Sequence, residues 1–307
     1  MNSLLHDFYV DDFIKSYPLT EVAKSSVKAV TGLCKSGGFN LRNFISNAPE
    51  CLSELPSPNV KSDLAAFDLP SDSSISERLS DVVWDIPSDS FIFKIKLKPS
   101  PLTKRDLLSS ISSTYDPIGI MSPFLLLGRC LFQQLSKLGW DSPLSPQIIS
   151  DWNSWKDSLP LLESFRLPRC FKPPNFGKPV NVTVHRFSDA SENGYGHCSY
   201  LRIVDEGGSI HCSFLYGRSR VAPVKRMSIP RLELQAATLS AKMSNFVSNE
   251  LDLVVNSQYF WTDSMIVLGY IKNISKRFKL FVANRISLIN EHTNSNDWFY
   301  VVLKFQK

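Results

Sequence analysis

From Val182 the chain alternates apolar and polar residues as a half-buried strand requires, with Val182, Val184 and Phe187 leading to Asp189 and the turn-forming run Ala-Ser-Glu-Asn-Gly-Tyr-Gly. The spacing predicts a strand that ends at Asp189. Gly196 to Ile203 and Ser209 to Tyr216 alternate in the same way around a turn at Asp205-Glu206-Gly207-Gly208, which predicts an antiparallel continuation of one sheet. The period then changes. Ser228 can cap a helix, Pro230 suits its first turn, and helix formers continue to about Asn249, placing Glu233 one turn in. Tyr259-Phe260-Trp261-Thr262 predicts a second strand, closed by Asp263 and followed by a helical run. Arg277 to Asn290 predicts a further helix and Trp298 to Val302 a last strand.

The first half reads differently. Phe8-Tyr9-Val10-Asp11-Asp12-Phe13-Ile14 is an apolar run broken by two acids, the pattern of a short hairpin with carboxylates at its tip. Leu19 to Leu33 spaces Val22, Val27, Val30 and Leu33 helically, and Gly37 to Asn47 predicts turn, strand, turn. Serine and proline dominate Ser53 to Glu77, which predicts a linker. Trp84 to Leu97 predicts a hairpin. Thr103 can cap a helix through Ser113, Tyr115-Asp116-Pro117-Ile118-Gly119 is a turn, and Ser122-Pro123 opens a helix to about Leu138. A third helix, Pro146 to about Leu159, carries Ile148, Trp152, Trp155 and Leu159 on one stripe, read as packing rather than as a surface for bases. Pro168 to Pro179 is a proline-rich joint.

At 307 residues with 43% hydrophobic content the chain can bury a sizeable core, and a net charge of +5 suits a polyanionic partner without requiring one. The six cysteines show no metal-ligand spacing and are expected to be mostly small buried hydrophobes. No secretory signal or membrane-spanning run is present in the sequence, so the expectation is an intracellular protein, cytoplasmic or nuclear, not secreted and without a membrane partner, in which the sequons at Asn181 and Asn273 are chance.

The chemistry-bearing positions are Asp189, Glu233 and Asp263. Singly, each is an ordinary acid at a strand end or in an early helical turn. Together, carboxylates at such points suit Mg2+, a hard cation with oxygen ligands. Between Gly217 and Arg231 stand Arg218, Arg220, Lys225, Arg226 and Arg231 with no acid among them. Phosphate contact and a solvated basic loop are both open readings. Lys272, Lys276, Arg277 and Lys279 are read as a solvated cluster. His197 and His211 are expected to face solvent or a strand neighbour.

Four words in fixed order, Phe-Ser-Asp-Ala-Ser, Arg-Val-Ala-Pro-Val-Lys, Ile-Pro-Arg-Leu-Glu-Leu-Gln-Ala-Ala and Trp-Thr-Asp-Ser, closely resemble the ribonuclease H domain of Bel/Pao-type LTR retrotransposon polyproteins. Thr-Lys-Arg-Asp-Leu-Leu-Ser, Tyr-Asp-Pro-Ile-Gly and Gly-Trp-Asp are similar to the region that precedes it, and Tyr9 to Asp12 resembles the Y-x-D-D hairpin of a reverse-transcriptase palm. The resemblance implies an α/β (α+β) fold: a ribonuclease H-like mixed sheet with flanking helices at 176–307, a thumb- or connection-like helical region at 78–175, a linker at 53–77 and a partial palm at 1–52. It implies that Asp189, Glu233 and Asp263 are catalytic ligands of Mg2+ or Mn2+, that Asp11 and Asp12 are a polymerase remnant, and that RNA/DNA hybrid or another nucleic acid is the partner. Polymerase activity is not expected, since the palm needs an earlier strand and fingers. The family continues past the last strand into an Asn-Pro-Ala-Asp segment that supplies a further aspartate, whereas Val302 onward diverges here. Weak two-metal hydrolysis of hybrid RNA is therefore one expectation, and a non-catalytic nucleic-acid-binding or inert fold is the other. Without Asp-Ser-Gly or Asp-Thr-Gly, peptide cleavage is excluded.

Overall fold

The computed structural model describes residues 7–9, 12–53, 55, 66–68, 80–96, 102–251, 253–273, 275 and 277–302. The chain divides into two compact units, residues 1–96 with 160–169, and residues 97–159 with 170–307.

In the first unit, β1 (Phe8–Tyr9) and β2 (Asp12–Phe13) pair antiparallel, with Tyr9 opposite Asp12. Helix α1 spans Thr20–Ser36, and of its expected apolar stripe only Val30 is buried, while Val22 and Leu33 are exposed. No strand forms in 37–47, contrary to expectation, and Phe39 there faces solvent. The expected linker lies largely outside the described residues, but within it Ala66–Asp68 forms β3. With β4 (Ser80–Asp85), β5 (Ser90–Ile95) and β6 (Arg166–Pro168) it makes a four-stranded antiparallel sheet in that order. Alternation made β5 legible, whereas β4 begins four residues before the expected start at Trp84. Strand β6 was not legible, because it is three residues long and ends on the first proline of the joint. Arg169 fixes it by pairing with Asp89 at 2.6 Å.

The second unit opens with α2 (Lys104–Ser112), whose Thr103 cap forms a full capping box with Asp106. Then come α3 (Ser122–Gln134), which stops four residues short of the expected Leu138, and α4 (Pro146–Ser158). Trp152 and Trp155 are buried, their rings 4.6 Å apart, so the stripe is core as its spacing suggested.

Three twelve-residue strands follow, β7 (Pro179–Ala190), β8 (Gly194–Asp205) and β9 (Ile210–Val221), then α5 (Ile229–Glu250), β10 (Ser257–Thr262), α6 (Met265–Ile271), α7 (Leu280–His292) and β11 (Trp298–Tyr300). The five strands lie in the order β11-β10-β7-β8-β9. β7, β8 and β9 pair antiparallel, whereas β10 and β11 join parallel to β7. This mixed sheet is the expected architecture. Leu234, Ala237 and Ala241 of α5 pack with Phe260, Val267, Ile271, Ile289 and Trp298 in one buried cluster, so α5, α6 and α7 share one sheet face. Val182 and Val184 also point to the α5 side, in a cluster with Val247, but Phe187 stands on the opposite face; the expected alternation had merged two faces.

The turn at 115–119 closes the outer edge of β9. Gly217 N donates to Ile118 O at 2.9 Å, and Gly119, at φ +76°, approaches so closely that an added Cβ would lie 1.7 Å from Gly217 O. Only glycine fits there. Ser219 Oγ donates to Ser122 O and Gln133 Nε2 to Ala222 O, tying α3 to the same strand and occupying an edge that would otherwise be open for pairing. Of the cysteines, Cys51 alone is buried; Cys34, Cys130 and Cys198 are half-buried and Cys170 and Cys212 exposed, which corrects the expectation that most are interior. Among the described residues no helix is long and apolar enough to cross a membrane.

Candidate functional site

Parallel strands β7 and β10 are in register with Ser188 opposite Thr262, so Asp189 and Asp263 follow as neighbours at the same sheet end. Adjacent strands lie about 4.8 Å apart, close enough for the two carboxylates to repel. Burial raises the pKa of Asp189 and the nearby Asp263 charge raises it further, opposed by the Ala190 N–H that Asp189 Oδ1 accepts. Asp263 Oδ1 is buried with no hydrogen-bond partner among the described residues. An anionic oxygen without a donor, beside a second carboxylate, fits a hard divalent cation.

Glu233 reaches the same end from α5. Ser264 Oγ donates to its Oε2 at 2.5 Å while capping α6 through the Val267 N–H, so Ser264 ties the two helices beside Asp263. The structure thus brings Asp189 and Asp263 together and sets Glu233 one serine away. Among the described residues, no three His, Cys, Asp or Glu side chains stand close enough to hold a metal ion. The residues fit a cation held by two acids and water.

The row Asp189, Gly196, Ser219 crosses β7, β8 and β9, so the backbones of Arg218 and Arg220 flank it two strand spacings, about 10 Å, from Asp189, with their side chains on the opposite face, where Arg218 Nη1 reaches Met243 Sδ of α5. Strand β9 runs to Val221, beyond the expected Tyr216, and therefore places these two arginines on a strand rather than in a loop. Lys225 and Arg226 are exposed in the connection to α5, and Arg231 on its first turn lies 5.1 Å from the Phe281 ring. A cavity of about 550 Å³ opens between α3 and β9, lined by Asp116, Arg129, Arg218 and Arg220 among others. Burial pushes the Asp116 carboxyl up to about 6, against the pull of three backbone N–H groups and Arg129.

A comparison with protein families decides the kinship of the chain: residues 103–264 match the family described as the Pao retrotransposon-like RNaseH-like domain. The chain belongs to this family. Among solved structures, it is similar to RNase H1 from Halobacterium salinarum, with 14% identity over 39% of this chain and 85% of that one and a TM-score of 0.26. It is also similar to LC11-RNase H1 in complex with an RNA/DNA hybrid, with 13% identity, 39% and 83% coverage and a TM-score of 0.27. The foamy viral protease-reverse transcriptase in complex with double-stranded DNA gives 11% identity, 68% of this chain, 36% of that one and a TM-score of 0.25. No curated protein matches the sequence.

The family match begins at Thr103, the cap of α2, so the helices α2 to α4 and the turn at 115–119 fall within the Pao-like region together with the acids. Asp189, Glu233 and Asp263 all lie inside it; Asp11 and Asp12 do not. Asp12 is exposed on β2, and Asp11 lies outside the described residues. Sequence reading missed Ser264, Asp116 and Arg129. For Ser264 the signal was present, since a serine opening a helical run is a cap candidate. Asp116 and Arg129 lie far from β9 in sequence, and nothing local announces that a turn and a helix will fold onto that strand.

Proposed function

We propose that this Pao-like chain binds RNA/DNA hybrid at the acid-bearing end of its five-stranded sheet and hydrolyses the RNA strand, using a divalent cation, Mg2+ or Mn2+, held by Asp189 and Asp263. The observation that carries this reading is the side-by-side placement of these two acids, one with a buried oxygen that lacks a donor. The RNaseH-like family to which the chain belongs generally uses divalent metals. When bound, the cation supplies Lewis acidity toward the scissile phosphate and a more acidic water. Glu233 is the third ligand in this proposal, its carboxylate turning away from the Ser264 hydroxyl. Arg218, Arg220, Lys225, Arg226 and Arg231 hold backbone phosphates, with the counterion release that makes such binding fall as salt rises. A labelled hybrid incubated with purified protein and Mg2+ or Mn2+ tests the proposal: cleavage that disappears in Asp189→Asn supports it, and cleavage that survives that substitution overturns it.

A second reading has its own observation. Glu233 is engaged by Ser264, and no three-ligand cluster stands formed among the described residues. In that reading the chain binds hybrid without cutting it. Salt-dependent hybrid binding by the wild type, with no cleavage in either metal, is its signature.

A further inference from the structure

The layer between the sheet and α5 contains a polar cluster that the acid site does not use. Among the described residues, the buried side-chain atoms without a hydrogen-bond partner include Nε and Nη1 of Arg186, both ring nitrogens of His197, and the hydroxyls of Ser199 and Ser240. These residues converge. Arg186, only 1% exposed, sits in the middle of β7 opposite Ser199 of β8, and His197 is two residues from Ser199 on the same face. From α5, the carbonyl of Ser244 and the hydroxyl of Ser248 accept from Arg186 Nη2 at 3.3 and 3.4 Å, and Ser240 lies one turn before Ser244. Phe260 covers the guanidinium on another side, 5.5 Å from its centre.

No ion pair involving Arg186 occurs among the described residues, and burial lowers its pKa to about 10, so it stays protonated at neutral pH. A buried cation without a counter-charge is costly, and each group around it can turn a donor inward: three guanidinium N–H on Nε and Nη1, one N–H of the neutral imidazole, and two hydroxyls that donate as well as accept. The Arg186 charge also helps keep His197 neutral, after burial itself. Water could accept from the donors but would leave the charge uncompensated. Ser199 and Ser240 are wholly buried, so a ligand that meets both hydroxyls and Arg186 Nε must be small.

We propose that Arg186, His197, Ser199 and Ser240 enclose a binding site for one small monatomic anion of the chloride class, which locks β7 and β8 to α5, the helix that carries Glu233. Melting of the full chain should rise saturably with chloride or bromide, by about 2–4 °C at ten times the dissociation constant, and not with gluconate at equal ionic strength. Arg186→Met should remove the halide dependence and melt above the wild type in gluconate. Should that variant fail to fold, wild-type crystals grown in bromide decide the matter, since an anomalous peak within hydrogen-bond reach of Arg186 Nε is required. Equal melting in chloride and gluconate, or a bromide map without that peak, overturns the proposal and leaves internal water as the occupant.

Discussion

Phe260 and Trp298, on neighbouring strands, stack 4.7 Å apart with no exposure; Trp261 and Phe299, the next residue on each strand, meet at 5.4 Å and stay half-buried. The chemistry of the two pairs is nearly the same. What differs is the cover, because the first pair lies under α5, α6 and α7, whereas the second belongs to a face whose rings touch one another across strands: His185 with Tyr259 and Trp261, Phe187 with Trp261 and Tyr200, Tyr200 with Phe214. The rows His185, Phe187 and Tyr259, Trp261 lead along this second face to Asp189 and Asp263. The face covered by α5, α6 and α7 therefore carries stability, and the ring-lined face leads to the candidate chemistry.

Truncation to alanine should expose the asymmetry most strongly. Phe260→Ala should cost about 3–5 kcal/mol, the transfer loss plus a cavity that α5 and α6 cannot collapse, while Phe187→Ala should cost about 1–2 kcal/mol because its ring keeps partial contact with water. Urea unfolding of both variants checks this. Equal losses would show that the second face is covered as firmly as the first.

Acid sensitivity separates the faces next. Burial, helped by Arg186 and Arg218, lowers the His197 pKa from 6.5 to about 3, so above pH 6.5 neither state is protonated and its contribution is complete. As pH falls below 6.5 only the unfolded chain takes up the proton, and stability should drop by about 2 kcal/mol by pH 5. Asp116 acts with the opposite sign: its pKa is raised from 3.8 to about 6, so in that window the folded chain alone holds the proton and gains stability as pH falls. The difference between the wild type and His197→Phe isolates the first effect, and the variant should show a flatter decline. On the other face His185 is lowered by burial and then by Arg202, yet it remains half-exposed, so His185→Gln should flatten the acid decline less than His197→Phe does.

How much of this was legible in sequence follows from the range of the forces involved. Asp189 and Asp263 were readable as strand ends, because alternation and the turn residues after Asp189 are local signals. Their adjacency was not, since it depends on β7 and β10 pairing in parallel across some seventy intervening residues, a register no local pattern sets. Arg186 stood in the alternation at an inward position and contradicted it by its charge, which is the kind of local conflict that marks a special site. The length of β9 was underestimated because Gly217, Arg218 and Arg220 read as loop; the 115–119 turn and α3, packing on that strand, override the propensity.

A smaller effect sharpens the link between the open face and the acids. Asp189→Asn removes a charge that partial burial and then the Asp263 carboxylate disfavour, and because the side chain keeps much of its contact with solvent the gain in stability should be under about 1 kcal/mol. Thermal melting should thus rise slightly in the variant in which cleavage is lost. A fall in melting temperature would mean that the Ala190 N–H to carboxylate bond outweighs the repulsion.

Electron paramagnetic resonance of Mn2+ titrated into the wild type, Asp263→Asn and Arg220→Ala tests most directly whether the acid pair is a cation site. Binding that saturates in the wild type and in Arg220→Ala, and weakens at least tenfold in Asp263→Asn, is the predicted result. Equal Mn2+ binding by all three proteins would contradict the account.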